Sequence, residues 1–549
     1  MNYNQLSFWI FYFTVLVAYW RLPHRKQNTL MLVASYVFYG FWDYRFLFLI
    51  LVSTVIDFIG GLGVAGIELP AGRLRRLFLI LVGGALVLCS HVDYPALVEA
   101  LRRGDGGAAA LALPRRLADF YVPIGAAVAC AGYGLALPRL YALAERRRRV
   151  VFLAISMVAN LAILAFFKYC DFFIASFVDL ARALGARDVS VGVLGIVLPA
   201  GISFYTFQAM SYTVDIYRKE TEPTTHLGDF ALFVCFFPHL VAGPIMRAHT
   251  LLPQVLRPRR LAPGAFEEGL VLVLVGLFKK MVIADNMAPI ANAVFYRFQD
   301  GDAGGMSGGE ALVGLYAFAF QIYGDFSGYS SIARGISKWL GFELVVNFHN
   351  PYVAVSPSDF WRRWHVSLSS WLRDYLYIPL GGNRGGKLME YRNLMLTMLL
   401  GGLWHGASWT FVAWGFYHGA ILCVFRLLRV KDPAPSDRLR WLVRVVVMFH
   451  LTCLGWLFFR ADSFRTVMEM SVLIATDLRL TPAALAAAGL IVFHCAALFV
   501  VELFTDGENA LGRLIRAPWP LQGAFYSYLV AMISLFGAEQ AIAFIYFQF

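Results

Sequence analysis

From Asn393 to Phe425 the chain runs for 33 residues without an Asp, Glu, Lys or Arg. Several other uncharged apolar stretches of roughly 15 to 30 residues recur along its 549 residues. Runs of this kind need either lipid or a very large core around them. Only 15% of the residues are charged and 59% are hydrophobic, whereas soluble chains carry about a quarter charged. So few charges cannot clothe a water-exposed exterior. The chain therefore reads as an all-α polytopic membrane protein, because in lipid the helix satisfies its own backbone.

Fourteen crossings are predicted: 6–20, 29–41, 46–67, 77–90, 118–138, 150–167, 193–216, 268–290, 311–333, 393–407, 410–425, 441–459, 482–503 and 521–546. Leu6 to Trp20 is apolar and is followed, not preceded, by Arg21, Arg25 and Lys26. That polarity is the reverse of a secretory signal and suits a first span with its N-terminus outside. With this orientation 33 of the 47 Lys and Arg fall in inside segments and 12 outside, and Lys279 and Lys280 lie within a span. The net charge of +12 is thus explained by orientation against an anionic leaflet, not by a nucleic-acid partner. An even number of crossings puts both termini outside.

The stretch 229–247, with FPHLVAGPI broken by Pro238 and Gly243-Pro244, breaks the alternation of spans. It reads as a re-entrant segment whose irregular backbone must be satisfied by protein or a cavity. The insertions 93–117 and 297–310, rich in Gly and Ala, read as loops. Seven cysteines are scattered without a C-x-x-C pair, so no metal site or disulfide framework is expected. No internal repeat is visible, which disfavours an inverted-repeat transporter.

Residues 348–392 differ in character from the spans around them. Ser358 is the expected N-cap of an amphipathic helix, with Asp359 in its first turn. Trp361, Trp364, Leu368, Trp371, Leu372 and Tyr375 form an apolar stripe. Arg362, Arg363 and Arg373 fall off it, an arrangement suited to the cytoplasmic interface. Gly381-Gly382-Asn383-Arg384-Gly385-Gly386 then forms a turn in which backbone N–H groups, Arg384 and Lys387 can meet phosphate.

Within 393–425 stands LLGGLWHGASW. One helix of 33 residues would be about 50 Å long and two full crossings need about 40 residues. Two short helices meeting at a glycine-rich break are therefore expected, with His405 at the floor of a depression. An imidazole in hydrocarbon without partners is costly, and ionisable residues within membranes are more often functional than structural. A neutral imidazole there can take the proton of a hydroxyl as that hydroxyl attacks an ester or thioester. Asp325, near the middle of the span 311–333, is expected either to pair with a histidine or arginine or to act in catalysis. His239 and Arg247 flank the re-entrant break. His418 is expected to be a satisfied packing residue, and His450 and His494 are given no role.

The strings FPHLVAGPIMR (237–247), YGDFSGYSSIARG (323–335), DFWRRWHVSLSSWLRDYLYIPLGGNR (359–384) and LLGGLWHGASWTFVAWGFYHG (399–419) closely resemble the membrane-bound O-acyltransferase (MBOAT) family. The nearest likeness is to its bacterial branch of alginate O-acetylation and D-alanyl transfer to teichoic acid. Residues 72–147, with two apolar segments, look like an insertion relative to that branch. The resemblance implies a ring of helices around a central tunnel, in the cytoplasmic (inner) membrane of a bacterium. Its histidine maps to His405 and its second polar position to His365. Asp325, Arg362, Arg363, Arg373, Asn383, Arg384, His239 and Arg247 become candidates for lining the tunnel or holding the donor. The donor implied is acetyl-CoA or another acyl thioester, with no tightly bound cofactor. The acceptor implied is an exported polysaccharide, reached directly or through an extracytoplasmic partner protein. D-alanyl transfer from a carrier protein is the alternative within the family, and a transporter of polysaccharide or lipid-linked sugar is the alternative outside it.

Overall fold

The computed structural model describes residues 3–90, 92–114, 116–186, 191–240, 243–434, 436–504, 513–538 and 542–547. Among them the secondary structure is helical throughout, with no strand. Six helical stretches are long and apolar enough to cross a membrane: His24–Ala65, Tyr121–Tyr141, Glu145–Ala183, Trp409–Leu427, Arg438–Arg460 and Pro482–Glu502. Many large apolar side chains stand exposed on these helices, including Leu135, Val158, Phe173, Phe416 and Val492. In water that surface would be a liability, whereas in lipid it is the expected outer face.

The centre is built from helices buried nearly all round. Gly308–Trp339 is the longest, at 32 residues, and opens with a capping box between Ser307 and Glu310. It packs along Ala265–Leu277 and its π-helical continuation Phe278–Ala284. Added side chains at Gly276, Gly328 and Gly335 would strike the neighbouring helix, so small residues set this close approach. Asp325 lies here. It pairs with Lys280 at 2.8 Å, and Lys280 also pairs with Asp285 at 2.7 Å. The expected partner of Asp325, a histidine or arginine, is therefore a lysine from the adjacent π-turn.

Several sequence expectations are corrected. The span expected over 193–216 becomes helical only at Ile202. Residues 191–199 take no regular secondary structure, and Asp171 accepts from the N–H groups of Leu194 (2.7 Å) and Ile196 (3.0 Å). The loop expected at 93–117 carries two short helices, Tyr94–Arg103 and Gly106–Leu111, N-capped by Asp93 and Asp105. The last span, expected over 521–546, ends at Phe536. The chain then turns inward, where the Ile545 N–H donates to Asp325 (2.6 Å) and Lys280 donates to the Ile542 carbonyl (2.9 Å).

The segment expected to be re-entrant forms two short buried helices, Leu227–Cys235 and Phe237–Leu240. Its broken backbone is satisfied by protein. Tyr3 donates to the Pro238 carbonyl (3.0 Å), Gln208 to the Phe233 carbonyl (2.5 Å), and Ser35 Oγ accepts from the Phe237 N–H (3.0 Å).

Residues 348–392 do not form one interfacial helix. Pro357–Arg363 and Val366–Leu372 are separate seven-residue helices. The N-cap is Ser356, not Ser358, because Pro357 takes the first helical position, where its missing N–H costs nothing. Phe360, Trp364, His365, Leu368, Trp371 and Leu372 are buried, so the aromatic stripe faces protein and not lipid.

Candidate active site

The helix Lys387–His405 and its successor Trp409–Leu427 form a tight antiparallel hairpin. The glycines of LLGGLWHGAS do two different jobs. Gly402 sits inside the first helix, where an added Cβ would strike the Phe411 carbonyl, and Gly415 faces the Met398 carbonyl in the same way. These two residues let the helices touch. The break itself is Gly406-Ala407-Ser408, where Gly406 is extended and the Phe411 ring occupies the place of any side chain. Ser408 then caps the second helix by accepting from the Thr410 N–H (3.2 Å). The two helices are 19 residues each and not short, because the first begins at Lys387, ahead of the uncharged run, and His405 is its last residue.

A helix that ends inside the protein leaves its last carbonyls without partners. Here a neighbouring helix supplies them. Tyr169 donates to the Leu403 carbonyl (2.9 Å), and Lys168 donates to those of Trp404 (2.6 Å) and His405 (2.9 Å). The lysine charge also suits the negative end of the helix dipole. Both residues come from Ala165–Tyr169, a π-helical turn joining Glu145–Leu164 to Cys170–Ala183. Lys168 falls just outside the span expected over 150–167. A lone lysine in the apolar string FFKYCDFF was the available signal.

The His405 side chain is buried among Trp404 (ring centroids 5.0 Å apart), Trp414 (4.9 Å), Phe459 (5.3 Å) and Tyr546 (5.7 Å). Its Nδ1 has no hydrogen-bond partner among the described residues. His405 lines a cavity of about 120 Å³ whose other walls are Trp42, Lys168, residues 198–204, Trp404 and Tyr546. One wall turns at Gly201, whose φ of +70° and contact with the Leu240 carbonyl both require glycine. Tyr39 pins the preceding carbonyl, that of Ala200, at 2.9 Å. Tyr546, at the inward-turned end of the described chain, has a buried hydroxyl without a partner among the described residues, and nothing in the sequence singles it out.

His365 is fully buried, with neither ring nitrogen hydrogen-bonded among the described residues. Its backbone is left-handed (φ +41°), which is unusual for a side-chain-bearing residue and ends the first short helix. Its ring packs on Phe326 (4.6 Å) and Trp404 (6.0 Å). His365 and His405 thus lean on the same indole, although His365 does not line the cavity.

The other candidates are not gathered there. His239 bonds Gln208 through Nε2 (2.8 Å). Arg247 pairs with Asp374 (2.9 Å) and lies over the Tyr375 ring. Arg362 reaches Asp359 and Asp432, Arg363 reaches Asp359, and Arg373 reaches Asp374. These arginines hold the 357–377 segment together. Asn383 and Arg384 are exposed in the glycine turn. His418 packs against Trp414 and Phe360 as expected, but its buried Nε2 is without a partner. His450, given no role, bonds Tyr316 (2.7 Å). No cluster of metal-ligating side chains occurs among the described residues.

Residues 152–460 match the model of the MBOAT, membrane-bound O-acyltransferase family. The chain is 37% identical over 456 residues to a probable alginate O-acetylase AlgI of Azotobacter vinelandii, covering 82% of this chain and 73% of that one. It is 37% identical over 351 residues to a peptidoglycan O-acetyltransferase of Helicobacter pylori, covering 58% and 64%. A teichoic acid D-alanyltransferase of Streptococcus thermophilus is 29% identical over 248 residues, covering 43% and 59%. The chain is a multi-pass membrane O-acyltransferase and belongs to the membrane-bound O-acyltransferase family.

Proposed function

We propose that the protein carries an acetyl group from a cytoplasmic thioester, acetyl-CoA or an acyl carrier, to a hydroxyl of an exported polysaccharide, with His405 as the general base. The observation that carries this is the unpartnered imidazole of His405 at a cavity wall, on a helix end held from outside the helix. In the step, the hydroxyl oxygen attacks the thioester carbonyl carbon and its proton passes to the imidazole. The C–S bond then breaks and the thiolate takes that proton, which restores the neutral base. Proton transfer of this kind contributes about 10²–10⁴-fold. His365, one indole away, is suited to orient the thioester from the opposite side.

The relatives named for O-acetylation are 35–45% identical to this chain over the matched residues, and those named for D-alanyl transfer 26–29%. That difference favours acetyl. We read the helices as a ring of about 14 crossings whose tunnel narrows at His405, in a bacterial inner membrane with both termini outside. The segment around 229–247 enters that ring as a re-entrant piece, and 393–425 contributes two of its helices with the break after His405 between them. Delivery to the polymer is direct, as in that step, or is completed by a separate extracytoplasmic protein that accepts the acetyl group first.

The test supplies membranes containing the protein with labelled acetyl-CoA and asks whether label reaches alginate or peptidoglycan fragments on the outer side. His405→Ala should abolish transfer while leaving polymer export intact. Loss of export together with transfer would support a transporter instead.

A further inference from the structure

Lys168 does more than an anchor requires. The carbonyl next to its own two is held by Tyr169, a neutral hydroxyl, so tying down this helix end needs no charge. An ammonium within an apolar helix is costly. This one has three N–H groups and no acceptor, and two of the three are committed, to the Trp404 and His405 carbonyls. Lys168 also lines the cavity that His405 lines. The π-turn accounts for the placement. In a regular helix successive side chains point about 100° apart, yet Lys168 and Tyr169 reach adjacent carbonyls of one helix end. Such single π-turns recur at functional sites.

We propose that Lys168 offers its third N–H to the carbonyl oxygen of the acyl donor, stabilising the negative charge that grows there as the hydroxyl adds. The inference rests on the acyl-transfer reading of His405. As the tetrahedral centre forms, the C=O electron pair moves onto oxygen and is met by the ammonium. When the C–S bond breaks, the pair returns and the lysine is left unchanged. Base and cation then act on opposite ends of one event: His405 removes the proton of the nucleophile and Lys168 receives the charge of the electrophile. The fixed distance between Lys168 and the His405 carbonyl keeps the two in register.

The experiment measures His405-dependent acyl transfer from acetyl-CoA to alginate fragments in membranes carrying the full chain. Rates are normalised to folded protein by size-exclusion in detergent. Lys168→Met should lower kcat by about 10²-fold, the usual effect of losing one such donor, with KM for acetyl-CoA within twofold. Lys168→Arg, which keeps the charge and several donors, should recover a substantial part of kcat. A merely structural lysine would lower folded yield and leave kcat per folded molecule near wild type, and that result overturns the proposal. A loss confined to KM for the polysaccharide overturns it too, because the cation would then be binding the acceptor. If His405→Ala retains full transfer, the underlying acyl-transfer reading fails first, whatever Lys168 does.

Discussion

Around Lys280 and around His405 the chain solves one problem in opposite ways. Lys280 stands between Asp285 and Asp325, and both ion pairs lie under 3 Å. The inward-turned chain end adds an N–H to Asp325 and a carbonyl to Lys280. Every charge there has an opposite charge or a dipole against it. At His405 the backbone is just as carefully satisfied, by Lys168 and Tyr169, but the imidazole is left without a partner beside a cavity. Both residues are ionisable groups inside apolar helices, a class that invites a functional reading from sequence alone. What separates structure from chemistry is whether the side chain is satisfied.

The largest expected effect tests the unsatisfied side of that comparison. His405→Ala should lower acyl transfer per folded molecule by 10²-fold or more, measured with labelled acetyl-CoA, while thermal stability falls only by the lost ring packing, since no hydrogen bond of the ring is lost. A comparable loss of stability and activity would mean that the imidazole is structural after all.

The satisfied side should respond the other way. Lys280→Met strips the cation from two buried carboxylates, and removing one member of a buried pair costs about 3–5 kcal/mol. A large fall in Tm and in folded yield is expected. Asp325→Asn leaves the Lys280–Asp285 pair and an acceptor for the Ile545 N–H, so it should cost far less. If Asp325→Asn abolishes transfer at unchanged Tm, Asp325 belongs to the chemistry and the comparison breaks.

A smaller effect probes the geometry that brings His405 to its place. Gly402→Val drives a side chain into the Phe411 carbonyl, and overpacking of this kind costs about 1–3 kcal/mol. Activity should fall with stability, since the hairpin must open.

Membrane character and most helix positions are legible because charge and hydropathy alone fix what lipid tolerates, and His405 stands out as an ionisable residue in an uncharged run. The break after His405 was anticipated from glycine content, but Gly402 and the true break at Gly406 look alike in sequence and differ only in which neighbour approaches them. The aromatic stripe of 361–375 was assigned to lipid because periodicity shows that a face is apolar without saying what covers it. Lys168, Tyr546 and the Asp171 clasp depend on contacts across at least 20 residues, which no local pattern encodes. Asp325 was visible as an anomaly. Its partner was not, because Lys280 reaches it from a π-turn that hydropathy reads as ordinary helix.

The smallest effect separates anchoring from chemistry at the helix end itself. Tyr169→Phe removes the hydrogen bond to the Leu403 carbonyl and nothing else, a loss of about 1 kcal/mol. Lys168 still holds the two carbonyls that follow, so His405 should keep its place and kcat should stay within about twofold while Tm drops slightly. Tyr169 and Lys168 are neighbours on one turn with the same kind of backbone partner. If anchoring were all that the turn provides, Tyr169→Phe and Lys168→Met should reduce transfer by similar factors once folded protein is counted. A wide gap between the two, with the lysine dominant, would mean that this helix end is held by two residues and that only one of them faces the reacting atoms.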